Sequence, residues 1–160
     1  MKKIVLFILT FVPIIIGYLV ENSLMIPVIG LLNFYVLPLL TPVFWCWLGI
    51  KYSRSSWKAI PSLLIGNATG ILSLLIYLWQ FVFKTAETRN ITLAVASQMF
   101  SASTPTYLLG RLAILFESQS NYTGQATLVA LQVISLIFMI IVFLCGYIWG
   151  KKKLQYTAIE

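Results

Sequence analysis

Residues 127–149, TLVALQVISLIFMIIVFLCGYIW, carry no charged side chain over 23 positions, and Lys151-Lys152-Lys153 follow almost at once. A helix needs about 20 mainly apolar residues to cross about 30 Å of hydrocarbon, so this run has the length and character of a membrane span. Three earlier runs share that character. Residues 4–20 follow Lys2-Lys3 and close on Glu21-Asn22-Ser23, residues 24–50 end in FWCWLGI before Lys51-Tyr52, and residues 60–83 end in YLWQFVF before Lys84. The first run resembles a signal peptide, but it is long for the apolar core of one, and GYLVENS offers no small-x-small cleavage pattern. It reads as an uncleaved first span. Pro38 and Pro42 predict a kink in the second span. With 60% hydrophobic and 9% charged residues, the 160-residue chain departs from soluble domains, which average about 45–50% and about 25%. The expected fold class is an all-α integral membrane protein, a single domain over residues 1–160 folded as a four-helix transmembrane bundle.

The basic residues predict its orientation. With four spans, the amino terminus, the KYSRSSWK connector and the carboxyl terminus share one side. That side holds Lys2, Lys3, Lys51, Arg54, Lys58, Lys151, Lys152 and Lys153; the other holds Lys84, Arg89 and Arg111 with Glu21, Glu87 and Glu117. Cytoplasmic loops are the Lys/Arg-rich ones, so both termini are expected in the cytoplasm, with a bacterial plasma membrane as the setting. The net charge of +7 lies in small groups beside apolar runs rather than in a basic stripe with interleaved aromatics, which argues against nucleic acid as a partner.

Residues 91–117 are the ambiguous piece. A fifth span would turn the triple lysine outward and would bury Arg111, at about 2.5–3.5 kcal/mol on insertion scales. Ser97, Gln98, Ser101, Ser103, Thr104 and Thr106 add to that cost. Local signals divide the segment into two short helices, 91–102 and 104–116, with Thr104 as N-cap and Pro105 at the first helical position. The favoured expectation is two short helices on the outer face, between the third and fourth spans. A re-entrant hairpin with its tip near Ser103-Thr104-Pro105 and a true fifth span are the alternatives.

Chemistry-bearing residues are sparse. The chain has no His and no Asp, and its only acids are Glu21, Glu87, Glu117 and Glu160. A Ser-His-Asp triad, an HExxH zinc site and an aspartyl pair are therefore excluded. Cys46 and Cys145 sit in apolar runs without ligand spacing, so no metal or cofactor is expected. Glu21, beside Asn22, reads as an interfacial acid. Within the spans, the candidate polar contacts are Asn33, Asn67, Thr69, Ser73, Gln132 and Ser135, groups that turn toward other helices in lipid. Ser62, Gly66, Gly70 and Ser73 make a small-xxx-small face, and Gly146 and Gly150 repeat the pattern; both predict close helix packing. Glu87, Arg89, Arg111 and Glu117 are candidate outer-face charges for an anionic head group or a peptide, with plain solvation as the simpler reading. Asn67, Asn90 and Asn121 fit the glycosylation sequon.

Two functions from different classes follow. One is a non-enzymatic membrane protein acting through lipid contacts, another membrane protein or self-association, as a subunit, regulator or immunity-type factor. The other is a small-solute transporter or binding component with an amide-lined cavity. The charge bias makes a direct prediction: a reporter fused after residue 160 is active only when its active form is cytoplasmic, and an external tail overturns the four-span topology.

Overall fold

The computed structural model describes residues 2–113 and 124–157, and among them there are nine helices and no strand. Helices α1 (Lys3–Leu9) and α2 (Val12–Ser23) form one apolar path, followed by α3 (Pro27–Ser53). Then come α4 (Ala59–Gly66), α5 (Ala68–Phe81), α6 (Ile91–Ala96), α7 (Met99–Ala102), α8 (Thr106–Ala113) and α9 (Gln125–Thr157). The α1–α2 path, α3 and α9 are each long and apolar enough to cross a membrane. The α4–α5 pair makes a fourth if its 52° bend lies within one span.

Surface and interior are inverted relative to a water-soluble protein. Val28, Ile4, Val43 and Ile141 point outward, Val28 with 82% of its surface exposed, while Thr10, Ser62, Asn67, Thr69 and Ser135 are buried. Soluble monomers seldom expose apolar patches beyond a few hundred Å², so an apolar exterior of this extent belongs in hydrocarbon.

Each buried break in a helix has a traceable cause and a local remedy. Pro13 lacks an N–H and unsettles the start of α2. Ile14 N–H turns to Phe11 O at 3.0 Å, which leaves Thr10 O without a helical donor. The Thr69 hydroxyl supplies one from α5, at 2.8 Å. At the second break Asn67 leaves helical geometry (φ −108°, ψ 11°). Its Nδ2 donates to Leu63 O at 2.9 Å, and its Oδ1 accepts the Trp45 indole N–H at 3.1 Å. By contrast α3 continues as one helix through Pro38 and Pro42, with the Thr41 hydroxyl donating to Leu37 O at 3.0 Å.

Helices α3 and α9 run side by side in the same direction. A Cβ added at Gly146 would fall 2.0 Å from Cys46 O, at Gly49 2.3 Å from Phe143 O, and at Gly150 2.1 Å from Ser53 Oγ. Backbones this close need glycine, and in lipid, close packing rather than hydrophobic exclusion holds helices together. The shared direction brings Lys51 and Arg54 to the end of the bundle that carries Lys151, Lys152 and Lys153. Lys3 Nζ, 5.7 Å from the Trp57 ring, joins them. One end of the bundle is therefore strongly basic.

The segment expected to cap the helix ends packs among the helices instead. Asn90 N–H donates to Gln80 Oε1 near the end of α5, at 2.9 Å, so α6 starts at the end opposite the basic one. From there it leads inward to α7, whose Phe100 ring lies against Gly70, midway along the α4–α5 pair. A Cβ on Gly17 would fall 1.8 Å from Met99 O, so α2 meets α7 backbone to backbone. The chain then returns: Thr106 meets Ser135 and Gly110 lies near Leu131, so α8 climbs antiparallel to the first turns of α9.

The Trp45–Asn67 bond joins α3 to the bend between α4 and α5, with both side chains fully buried. Asn67→Leu and Trp45→Phe, singly and combined, are expected to give a coupling energy of about 0.6–1.7 kcal/mol in a denaturation cycle in mild detergent. Strictly additive losses would show that this bond does not hold the bend.

Candidate functional site

The polar residues of the hairpin satisfy their own backbone before anything else. Ser97, Ser101, Ser103 and Thr104 each donate to the carbonyl three residues earlier, at 2.7–3.0 Å. Such back-bonding offers the chain an alternative to a regular helix, and the segment breaks at Ser97-Gln98 and again at Ser103–Pro105. Thr104, expected to cap the second helix, uses its hydroxyl on Ser101 O instead. The Thr104, Thr106 and Ser135 hydroxyls then form a closed, buried cluster: Thr104 lies 2.6 Å from Thr106 and 3.2 Å from Ser135, and Thr106 also bonds Ser135.

Above this cluster is a cavity of about 320 Å³ between α3, α7, α8 and the start of α9. Its polar wall is Gln98, Ser101, Thr106, Tyr107, Gln132 and Ser135. Its apolar wall is Leu24, Phe34, Leu128 and Leu131. Among the described residues no lining side chain carries a charge. The Tyr107 hydroxyl donates to Glu21 Oε1, and its ring lies 5.3 Å from that of Phe34. Glu21 thus holds the tyrosine at the cavity's edge, a role its position beside Asn22 did not suggest. Ser135 stands ten residues into α9, about 15 Å at 1.5 Å per residue. Beyond it Leu136, Met139 and Phe143 join Trp45 and Phe100 in the buried core. The cavity is therefore blind, closed by aromatic packing. Each glutamine amide both donates and accepts, and each hydroxyl can do either, so the wall suits a guest with neutral hydrogen-bonding groups.

The residues singled out from sequence divide in two. Gln132 and Ser135 line the cavity. Asn67 and Thr69 are consumed in helix-to-helix bonds, Ser73 is buried, and Asn33 is half-buried beside the cavity-lining Phe34 without joining the wall. Gly66 and Gly70 accept rings rather than backbones: a Cβ there would fall 2.3 Å from Phe143 and 2.6 Å from Phe100. Gly146 and Gly150 do permit backbone approach to α3. Glu87 is exposed. Arg89 donates from Nε to Gln80 O at 3.0 Å and covers the Phe81 ring at 4.3 Å. Arg111 belongs to α8, but its side chain and the whole of Glu117 and Asn121 lie outside the described residues. The Asn90 sequon serves as an N-cap, accepting from Leu93 N–H at 3.1 Å.

Sequence reasoning missed Gln98, Ser101, Thr106 and Tyr107 as wall residues, and Gly17 and Gly49 as contacts. The hydroxyls had been counted only as a burial cost, which their own backbone bonds offset. Among the described residues no group of three or more His, Cys, Asp or Glu side chains could hold a metal ion. Comparison of the chain with family models, curated proteins and solved structures gives no match. What the site does rests on its own geometry.

Accessibility tests that geometry. In a Cys46→Ala/Cys145→Ala background, Ser101→Cys is expected to react with a small hydrophilic thiol reagent added to membranes, while the outward-facing Ile137→Cys stays protected. Equal protection of both would show that the cavity is closed to water.

Proposed function

We propose that the chain is a four-span protein of a plasma membrane, bacterial on its composition, that binds a small uncharged solute in a cavity built by a re-entrant hairpin. Both termini face the cytoplasm in this reading, because eight basic residues belong to the basic end of the bundle and such ends stay inside. Residues 91–113 enter from the external side and return to it. The two limbs support this: α6 starts at the far end of α5, and α8 climbs back along α9. Irregular backbone at membrane depth is tolerated where it lines a cavity or is buried in protein, and both conditions hold for this segment.

The observation that carries the solute reading is the make-up of the wall, six neutral polar side chains opposite four apolar ones. At about 320 Å³ the cavity sits at the small end of ligand sites, which run from about 300 to 1,000 Å³. Its occupant is a small amphipathic solute that presents hydroxyl or amide groups to Gln98, Gln132 and Ser101 and an apolar face to Phe34 and Leu131. The role is binding, in a receptor or a transport component, without a chemical step.

A thermal-shift screen of neutral amides, polyols and small aromatic alcohols against the purified chain in mild detergent tests this. Compounds with both a hydrogen-bonding and an apolar face are expected to raise the melting temperature, and Gln132→Leu to remove the shift while leaving the unliganded protein folded. Shifts that survive Gln132→Leu, or that come only from ions, overturn the reading.

A further inference from the structure

The basic end of the bundle holds a second concave feature, unconnected with the solute cavity. Along the flank where α3 and α9 run together, Pro42, Val43, Cys46, Trp47, Ile50 and Trp149 line a purely apolar groove of about 430 Å³. A smaller recess of about 110 Å³ continues it, lined by Ile50, Arg54, Trp149, Gly150 and Lys153. Ile50 and Trp149 belong to both walls, so the apolar shaft and the cationic recess adjoin.

Its proportions match a lipid. From Val43 to Arg54 is eleven residues of α3, about 16 Å at 1.5 Å per residue. One leaflet of hydrocarbon is about 15 Å deep. The groove opens outward, with Trp149 64% and Val43 67% exposed. Tryptophan favours the boundary between hydrocarbon and head groups, which sets the recess at head-group level. Lys51 Nζ lies 5.2 Å from the Trp47 ring on the same flank, adding a third cation nearby. Among the described residues, neither wall contains an acidic side chain. The glycine contacts that press α3 onto α9 fix the two backbones from which Arg54 and Lys153 project.

We infer that this groove is a binding site for an anionic phospholipid, with one acyl chain along Pro42–Trp47 and the phosphate between Arg54 and Lys153. Arginine suits phosphate because its planar fork meets two oxygens at once. A zwitterionic lipid carries a cation of its own to the same place and loses the net attraction that an anionic head group keeps.

The test uses tryptophan fluorescence of the full chain in neutral detergent, with phosphatidylglycerol or phosphatidylcholine brominated on the acyl chains. Brominated phosphatidylglycerol is expected to quench at a roughly ten- to thirtyfold lower mole fraction, since each cation near an anionic head group contributes about fivefold. Trp47→Phe, which removes the ring along the acyl-chain path, is expected to remove more of the selective quenching than Trp149→Phe, and Arg54→Gln/Lys153→Gln to abolish the preference. Lys2→Gln/Lys3→Gln, which leaves the groove intact, is expected to keep it. Both double variants alter exposed side chains, and unchanged melting temperatures verify that they fold. Equal quenching by the two lipids overturns the site, as does loss of preference in the Lys2/Lys3 control, which would indicate general charge attraction. Displacement of the lipid by millimolar inorganic phosphate also overturns it, in favour of a free-anion site.

Discussion

Hydrocarbon offers no hydrogen bonds, so every backbone group freed inside this bundle must find its partner within the chain. Most of the architecture is a response to that demand. The break caused by Pro13 leaves Thr10 O without a helical donor, and a threonine from a different helix supplies one. At the break at Asn67 the backbone N–H still reaches Leu63 O, the side-chain Nδ2 reinforces that bond, and Oδ1 takes a tryptophan N–H from α3. These two repairs lie near each other on α4 and α5, so the bends of two paths are tied together. The hairpin follows the same rule with serines and threonines bonding back along their own turns.

Once those groups are satisfied, packing sets what remains. Glycine lets α3 approach α9 and α2 approach α7 closely enough for backbone contact. Elsewhere it makes sockets, Gly70 for Phe100 and Gly66 for Phe143, so that aromatic rings fill the bundle centre around Trp45. The hairpin tip is therefore an integral part of the core rather than a lid resting on it. Its polar flank, left over after the backbone bonds are made, becomes the wall of the cavity.

Much of this was legible in the residues. The three long spans follow from apolar run length alone, and the gathering of Lys51, Arg54 and Lys151–Lys153 at one end follows from where those runs stop. Gln132 and Ser135, picked out as polar groups inside a span, do line the cavity. The hairpin was harder to read because Ser97, Ser101, Ser103 and Thr104 look costly to bury when each is counted alone. That cost falls once each hydroxyl is seen bonding three residues back, a property of local conformation that composition does not reveal. Gly17 and Gly49 were hidden for another reason. Gly17 has no small residue four positions away, Gly49 has only Ser53 at the end of its span, and their partners, Met99 and Phe143, are distant in the chain. Pro38 and Pro42 lie inside an α3 that continues as one helix.

Among the described residues the cavity wall contains no charged side chain, and the proposed guest carries none. A membrane potential does work only on charge that moves through it, about 2.3 kcal/mol per elementary charge for 100 mV. Filling or emptying this site shifts no such charge. Occupancy by such a guest should therefore follow its concentration and be indifferent to voltage.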